Sequence, residues 1–330
     1  MRQVGRGIFL AGTLIAVAVG ARPAQAADCR LRWVFPQSHH VMSVAFSPDG
    51  RMLAAGGTDN QVLVWDLLTG RLKGALGRQS KWVRTVAFSP DGALLASGGD
   101  DGAVNLWDAR TGRRIPTSLG QSEAVYTVAF SPDGKLLATC GYPNTVLLWD
   151  GRTGAFIQSV PRHPGPVFCM AFSPDGTMLA TAGQQQLLKV FDVRAGQLLR
   201  TFRGHSGSIF AVAFSPDSRT LATGGADRTV RLWDVRTGGL KTTLEGHTNS
   251  VYTCVFSPNG KTLATGGLDG TVRFWDPVAG ALKATWPAFD NGVAALAFSS
   301  DGRMLAIAGS RLTADLPSGE AHVWDVRGCL

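Results

Sequence analysis

Val44 to Gly50 reads VAFSPDG, and the same phrase returns unchanged at Val86 to Gly92 and at Val128 to Gly134. Looser copies stand at Met170 to Gly176 (MAFSPDG), Val212 to Ser218 (VAFSPDS), Cys254 to Gly260 (CVFSPNG) and Leu296 to Gly302 (LAFSSDG). Their phenylalanines fall at 46, 88, 130, 172, 214, 256 and 298, always 42 residues apart. Seven copies at one fixed period define a repeat architecture. In each phrase a short β-forming run meets Ser-Pro-Asp, the chemistry of a type I turn. Proline sets φ at the second position, aspartate supports the third, and glycine supplies a positive φ at the end.

The unit around the phrase reads as four short strands. In residues 198 to 237 these are Leu198 to Phe202, Ile209 to Ser215, Thr220 to Gly224 and Val230 to Trp233, separated by Gly-, Pro- and Asp-bearing turns. Four strands per 42 residues make one antiparallel sheet. A lone sheet of that size cannot bury its faces, so the expectation is seven sheets packed radially, an all-β seven-bladed propeller.

The repeat resembles the WD-repeat family, whose members form β-propellers and serve chiefly as interaction platforms. Trp-Asp pairs stand at 65–66, 107–108, 149–150, 233–234, 275–276 and 324–325, with Phe191-Asp192 as the one variant. The resemblance covers the chain from about residue 30 onward. It implies a buried hydrogen-bonded chain of His, Ser/Thr, Asp and Trp within a repeat. That set is complete twice, as His205, Thr223, Asp227, Trp233 and as His247, Thr265, Asp269, Trp275. Elsewhere it is broken. Gln79 stands in the His position beside Ser97, Asp101 and Trp107, Pro143 takes the Asp position of the third copy, Gln185 and Phe191 interrupt the fourth, and Ile307 the seventh. The broken copies are expected to rest on apolar packing alone.

A ring must join its last blade to its first without a free edge. After Asp325 only five residues remain, too few for a strand, whereas Arg30 to Phe35 (RLRWVF) aligns by the 42-residue offset with outer strands such as Leu198 to Phe202. The N-terminal segment is therefore predicted to complete blade seven. The same offset puts Cys329 at the position of Gly196 and Cys29 at that of Gln197, so a closed blade makes them neighbours. A disulfide is the expectation; two free thiols on frayed ends are the alternative. Cys140, Cys169 and Cys254 lie in strand patterns and read as small buried fillers.

Residues 1–26 read as a signal peptide and 27–330 as the propeller domain. Arg2 and Arg6 open the segment, Ile8 to Gly20 is an apolar run too short to span a bilayer, and Ala24-Gln25-Ala26 is a small-x-small cleavage site. The chain is expected to be exported to the periplasm or beyond, with no membrane span after cleavage. Its formal charge of +8 falls by three to +5 once Arg2, Arg6 and Arg22 are removed. That scattered bias fits solubility and not nucleic-acid binding.

The motifs of common chemistries are missing from the sequence. It has no Cys-x-x-Cys, no Gly-x-Ser-x-Gly, no phosphate-binding glycine loop and no spaced calcium ligands. His39-His40 reads as an exposed loop. No catalytic residue, metal or cofactor is expected.

One column varies between copies: the residue after the first apolar position of each inner strand is Met42, Arg84, Tyr126, Phe168, Phe210, Tyr252 or Ala294. In the family this region lies near the channel mouth, the face used most often for partners. Aromatic and arginine side chains are enriched at binding hot spots. Trp82, Arg84, Tyr126, Tyr142, Phe168, Phe210 and Tyr252 are therefore the candidate partner-binding residues, with plugging of the channel as the alternative role. Gln184-Gln185-Gln186 and an insert within Ser310 to Glu320 mark further loops on that face. The expected function is a non-enzymatic scaffold for a protein or peptide, a monomeric ring within a larger complex. A channel enzyme (hydrolase or quinone-dependent oxidoreductase) would need converging carboxylates, histidines or metal ligands. A sugar-binding lectin would repeat its ligands in every blade.

Overall fold

The computed structural model describes residues 29–117, 119–312 and 317–329. The expected signal segment, residues 1–26, lies outside them, as does the tip of the seventh-copy insert, residues 313–316. The chain folds into seven four-stranded antiparallel sheets. Blade one consists of Val41–Phe46, Met52–Gly57, Gln61–Asp66 and Leu72–Arg78, running from the innermost strand outward. The inner strands of blades two to seven are Val83–Phe88, Val125–Phe130, Val167–Phe172, Ile209–Phe214, Val251–Phe256 and Val293–Phe298. Each packs against the next, and Val293–Phe298 closes on Val41–Phe46.

The seventh sheet takes Val293–Phe298, Met304–Leu312 and Pro317–Asp325 from the C-terminal end and Arg30–Gln37 from the N-terminal end. The pairing runs from Arg30↔Asp325 to Gln37↔Gly319 with one bulge. The outer strand of each blade thus comes from the start of the next 42-residue unit, so the sequence repeat and the blade are one strand out of phase. Cys29 and Cys329 are bonded beside this ladder, their Cα atoms 5.7 Å apart. Cys140, Cys169 and Cys254 are free and buried; burial pushes the Cys140 and Cys254 thiols up to about 12.

The cores lie between blades. One joins Ala180, Leu188 and Val190 of blade four to Ile209, Leu221 and Trp233 of blade five; another joins Phe35, Ala306 and Val323 of blade seven to Val41, Leu53 and Trp65 of blade one. Each fully buried leucine contributes roughly 1.5–3 kcal/mol, and no single sheet could bury these faces alone. The approach is close: a Cβ on Gly224 would meet Val251 of the next blade at 2.6 Å, which explains the small residues of the second strands. Hydroxyls add cross-blade bonds. Ser43 Oγ accepts from Val86 N, and Thr85 Oγ1 from Val128 N, each at 3.1 Å.

The VAFSPDG phrase is the corner between inner and second strands. In the first copy Gly50 N donates to Ser47 O at 2.8 Å, Met52 N donates to Ser47 Oγ at 2.9 Å, and Ser47 Oγ donates to Asp49 at 2.5 Å. Gly50 has φ +67°, and Ser218 adopts φ +60° at the same place in the fifth copy. The local chemistry alone accounts for this corner.

Candidate functional site

The two complete sets form hydrogen-bonded chains. Trp233 Nε1 donates to Thr223 Oγ1 at 2.9 Å, Thr223 Oγ1 lies 2.7 Å from His205 Nε2, and His205 Nδ1 lies 2.8 Å from Asp227 Oδ2. Indole is donor-only and carboxylate acceptor-only, so the hydroxyl donates to Nε2 and Nδ1–H donates to the carboxylate. Trp275, Thr265, His247 and Asp269 repeat this at 2.9, 2.8 and 2.8 Å. Burial pushes the Asp227 carboxyl up, but the hydrogen bonds from His205 and from the Ser206 amide outweigh it and hold it well below the usual range. Asp269 behaves likewise beside His247 and Thr248.

The broken copies do not rest on apolar packing alone. In blade two Gln79 Nε2 donates to Ser97 Oγ at 3.1 Å, and Trp107 Nε1 donates to the same oxygen at 3.0 Å. In blade three Gln121 and Trp149 meet on Thr139 Oγ1 at 2.9 and 3.0 Å. The amide reaches the same hydroxyl as the imidazole but with the direction reversed, so the hydroxyl oxygen accepts from both the amide and the indole. The signal stood in the sequence, since glutamine occupies the His column at 37, 79 and 121. In blade seven His322 turns instead to Glu320, at 2.7 Å.

In blade four His163 Nε2 meets Thr181 Oγ1 at 2.6 Å. Burial, with Lys189 acting in the same direction, pushes this imidazole down to about 4. The unfolded chain binds its proton near 6.5 and the folded chain only near 4, so stability is lost as pH falls between these values. The full effect is about 3 kcal/mol from this residue. His247 is lowered too, mainly by burial, and acts in the same direction. The variant H163Q, which copies Gln79 and Gln121, should lose less melting temperature between pH 7 and pH 4.5 than the wild type. Equal losses would remove His163 as the cause.

The variable column is built by a backbone device that the sequence conceals. In every blade the register shifts across it, between Val41/Ser43, Val83/Thr85, Val125/Thr127, Val167/Cys169, Ile209/Ala211, Val251/Thr253 and Val293/Ala295. Each column residue is thus the unpaired residue of a β-bulge, a distortion that re-aims its side chain. The result is a continuous arc. Arg84 lies 5.6 Å from the Trp82 ring and 5.1 Å from the Tyr126 ring, held by an ion pair with Asp100. Tyr126 meets Phe168 edge to face at 5.4 Å, Phe168 stacks on Phe210 at 5.5 Å, and Phe210 on Tyr252 at 4.6 Å and 11°.

Trp82 and Tyr252 are 46% and 38% exposed, and the residues between them are half-buried. Tyr142 stands outside the stacked series, in the turn between the second and third strands of blade three. It is 43% exposed, and its N–H donates to Ala124 O beside the arc. Gln184 occupies the matching turn of blade four, whereas in blade seven the corresponding Ser310 lies within the lengthened second strand, paired with Gly319. Among the described residues no group of three or more His, Cys, Asp or Glu side chains gathers as metal ligands would.

Seven blades closed by the N-terminal strand, with indole–hydroxyl–imidazole chains inside two of them, define a propeller of the WD-repeat type. Residues 40–186 and 166–320 match the family described as IFT122 first beta-propeller, and the chain belongs to that family. No curated protein matches the chain.

Proposed function

We propose that the protein is an exported, non-enzymatic scaffold that binds a protein or peptide through the mouth face carrying the aromatic arc. The observation that carries this reading is the unbroken run from Trp82 through Arg84, Tyr126, Phe168 and Phe210 to Tyr252. It presents aromatic and guanidinium surfaces across five blades. Such side chains, partly desolvated and held rigid by their neighbours, bind partners with little loss of conformational freedom. The buried His–Asp pairs are assigned to the fold and not to catalysis. Export is supported by the Cys29–Cys329 bond, which forms and persists in oxidising compartments. N-terminal sequencing of the mature protein should begin at Ala27.

Replacing Tyr126, Phe168, Phe210 and Tyr252 together by serine should reduce capture of partners from a native envelope extract at least tenfold. Hot-spot truncations of about 2 kcal/mol each are sufficient for that. The melting transition should remain cooperative. Unchanged capture would refute the reading, and loss of the folded state would assign the rings to the core.

A further inference from the structure

The arc is a stacked series with one ring missing. From blade three to blade six each column residue lays a ring against the next, and the last contact, Phe210 on Tyr252, is nearly parallel. One further step of 42 residues calls for a ring at position 294, where alanine stands. The backbone there carries the same bulge as at 210 and 252. The blade is therefore shaped to aim a side chain at Tyr252 and lacks only the ring. In its place lies a cavity of about 180 Å³, lined by Met42, Tyr252, Leu268, Val293, Ala294 and Ser310 among others. Tyr252 is the most exposed aromatic of the column, because the neighbour that would cover it is absent.

We propose that this gap is a subsite for one aromatic side chain of a partner polypeptide, which supplies the next ring of the series. The internal repeat is the template: what Phe210 does to Tyr252 from one side, the partner's ring does from the other. The slot is lined by Tyr252 of blade six and by Met42 of blade one, with Ala294 of blade seven between those blades. A planar ring satisfies both side chains, since aromatic faces favour offset stacking and methionine sulfur favours ring contacts. A polypeptide is the source because the slot opens onto a face where exposed Leu268 and the rest of the arc receive the flanking residues. The inference rests on the mouth-face reading above and adds its occupant.

The chain has three tyrosines, Tyr126, Tyr142 and Tyr252, all at this face. Fluorine NMR of 3-fluorotyrosine-labelled protein therefore reports on the site with three lines, assigned by single Tyr→Phe variants. The probes are acetyl-Gly-Trp-Gly-amide, its Phe and Leu counterparts, and free indole. The Trp and Phe peptides should shift the Tyr252 line saturably, with the Leu peptide roughly 2- to 10-fold weaker and indole weaker than the Trp peptide. A294F fills the slot with the protein's own ring and should abolish the shift, with the Tyr142 line unmoved. If A294F does not fold, A294M fills the same space and should block in the same way.

Equal shifts from Leu and Trp peptides would overturn the proposal, as would a blocked variant that titrates like the wild type. Indole binding as tightly as the peptide would assign the slot to a free ring instead. If A294F keeps partner capture while the four-serine variant loses it, the mouth face stands and the aromatic subsite falls.

Discussion

Breaking the Cys29–Cys329 bond, by reduction or by C29S, is expected to lower the stability of the ring by up to about 5 kcal/mol, the loop-closure entropy of a very long loop. The two cysteines are 300 residues apart in sequence and sit beside the one blade that draws strands from both ends of the chain. In the unfolded chain nothing else joins those ends, so the bond restricts that state more than the folded one. Without it the ladder from Arg30↔Asp325 to Gln37↔Gly319 still forms, and two anchors hold the strand to blade one. Phe35 stacks on Trp65 at 5.0 Å, and Trp33 Nε1 donates to Leu67 O at 3.2 Å. The expected result is thus a folded but weakened ring, read as a lower urea midpoint with a reductant present. A midpoint unchanged by reduction would mean that non-covalent packing alone closes the ring.

The second large effect is expected at Thr223. Valine keeps the shape but removes the oxygen shared by Trp233 Nε1 and His205 Nε2 in a fully buried place. Two buried polar groups lose a partner, and at about 1–3 kcal/mol per unsatisfied group T223V should destabilise by about 3 kcal/mol. T181V in blade four gives the internal control. Its hydroxyl serves His163 alone, because Phe191 stands where the indole would be, so about half the effect is expected there. Chemical denaturation of both variants checks the ratio. Equal losses would show that the valine disturbs packing in general and not the shared bond.

The legible and illegible parts of this protein divide by the range of the interactions involved. The VAFSPDG corner is legible because serine, proline, aspartate and glycine act within five residues of one another. Repetition of that corner every 42 residues leaves few architectures open, and the offset of Arg30 to Phe35 identifies the ring-closing strand and the cysteine pair. The hydrogen-bonded chains are legible where histidine is present. They are missed at Gln79 and Gln121, because the position demands a polar nitrogen at a given reach and not one residue type.

The aromatic arc is legible as a column and illegible as a surface. The sequence by itself determined which residue types alternate at 42, 84, 126, 168, 210, 252 and 294. Only the tertiary structure decided that a bulge turns each of them out of its ladder, that four aromatic side chains with Arg84 become one stacked arc, and that Ala294 leaves a slot beside Tyr252. The reason is physical: a turn is closed by neighbours along the chain, whereas stacking between residues 42 apart depends on how one blade is rotated against the next.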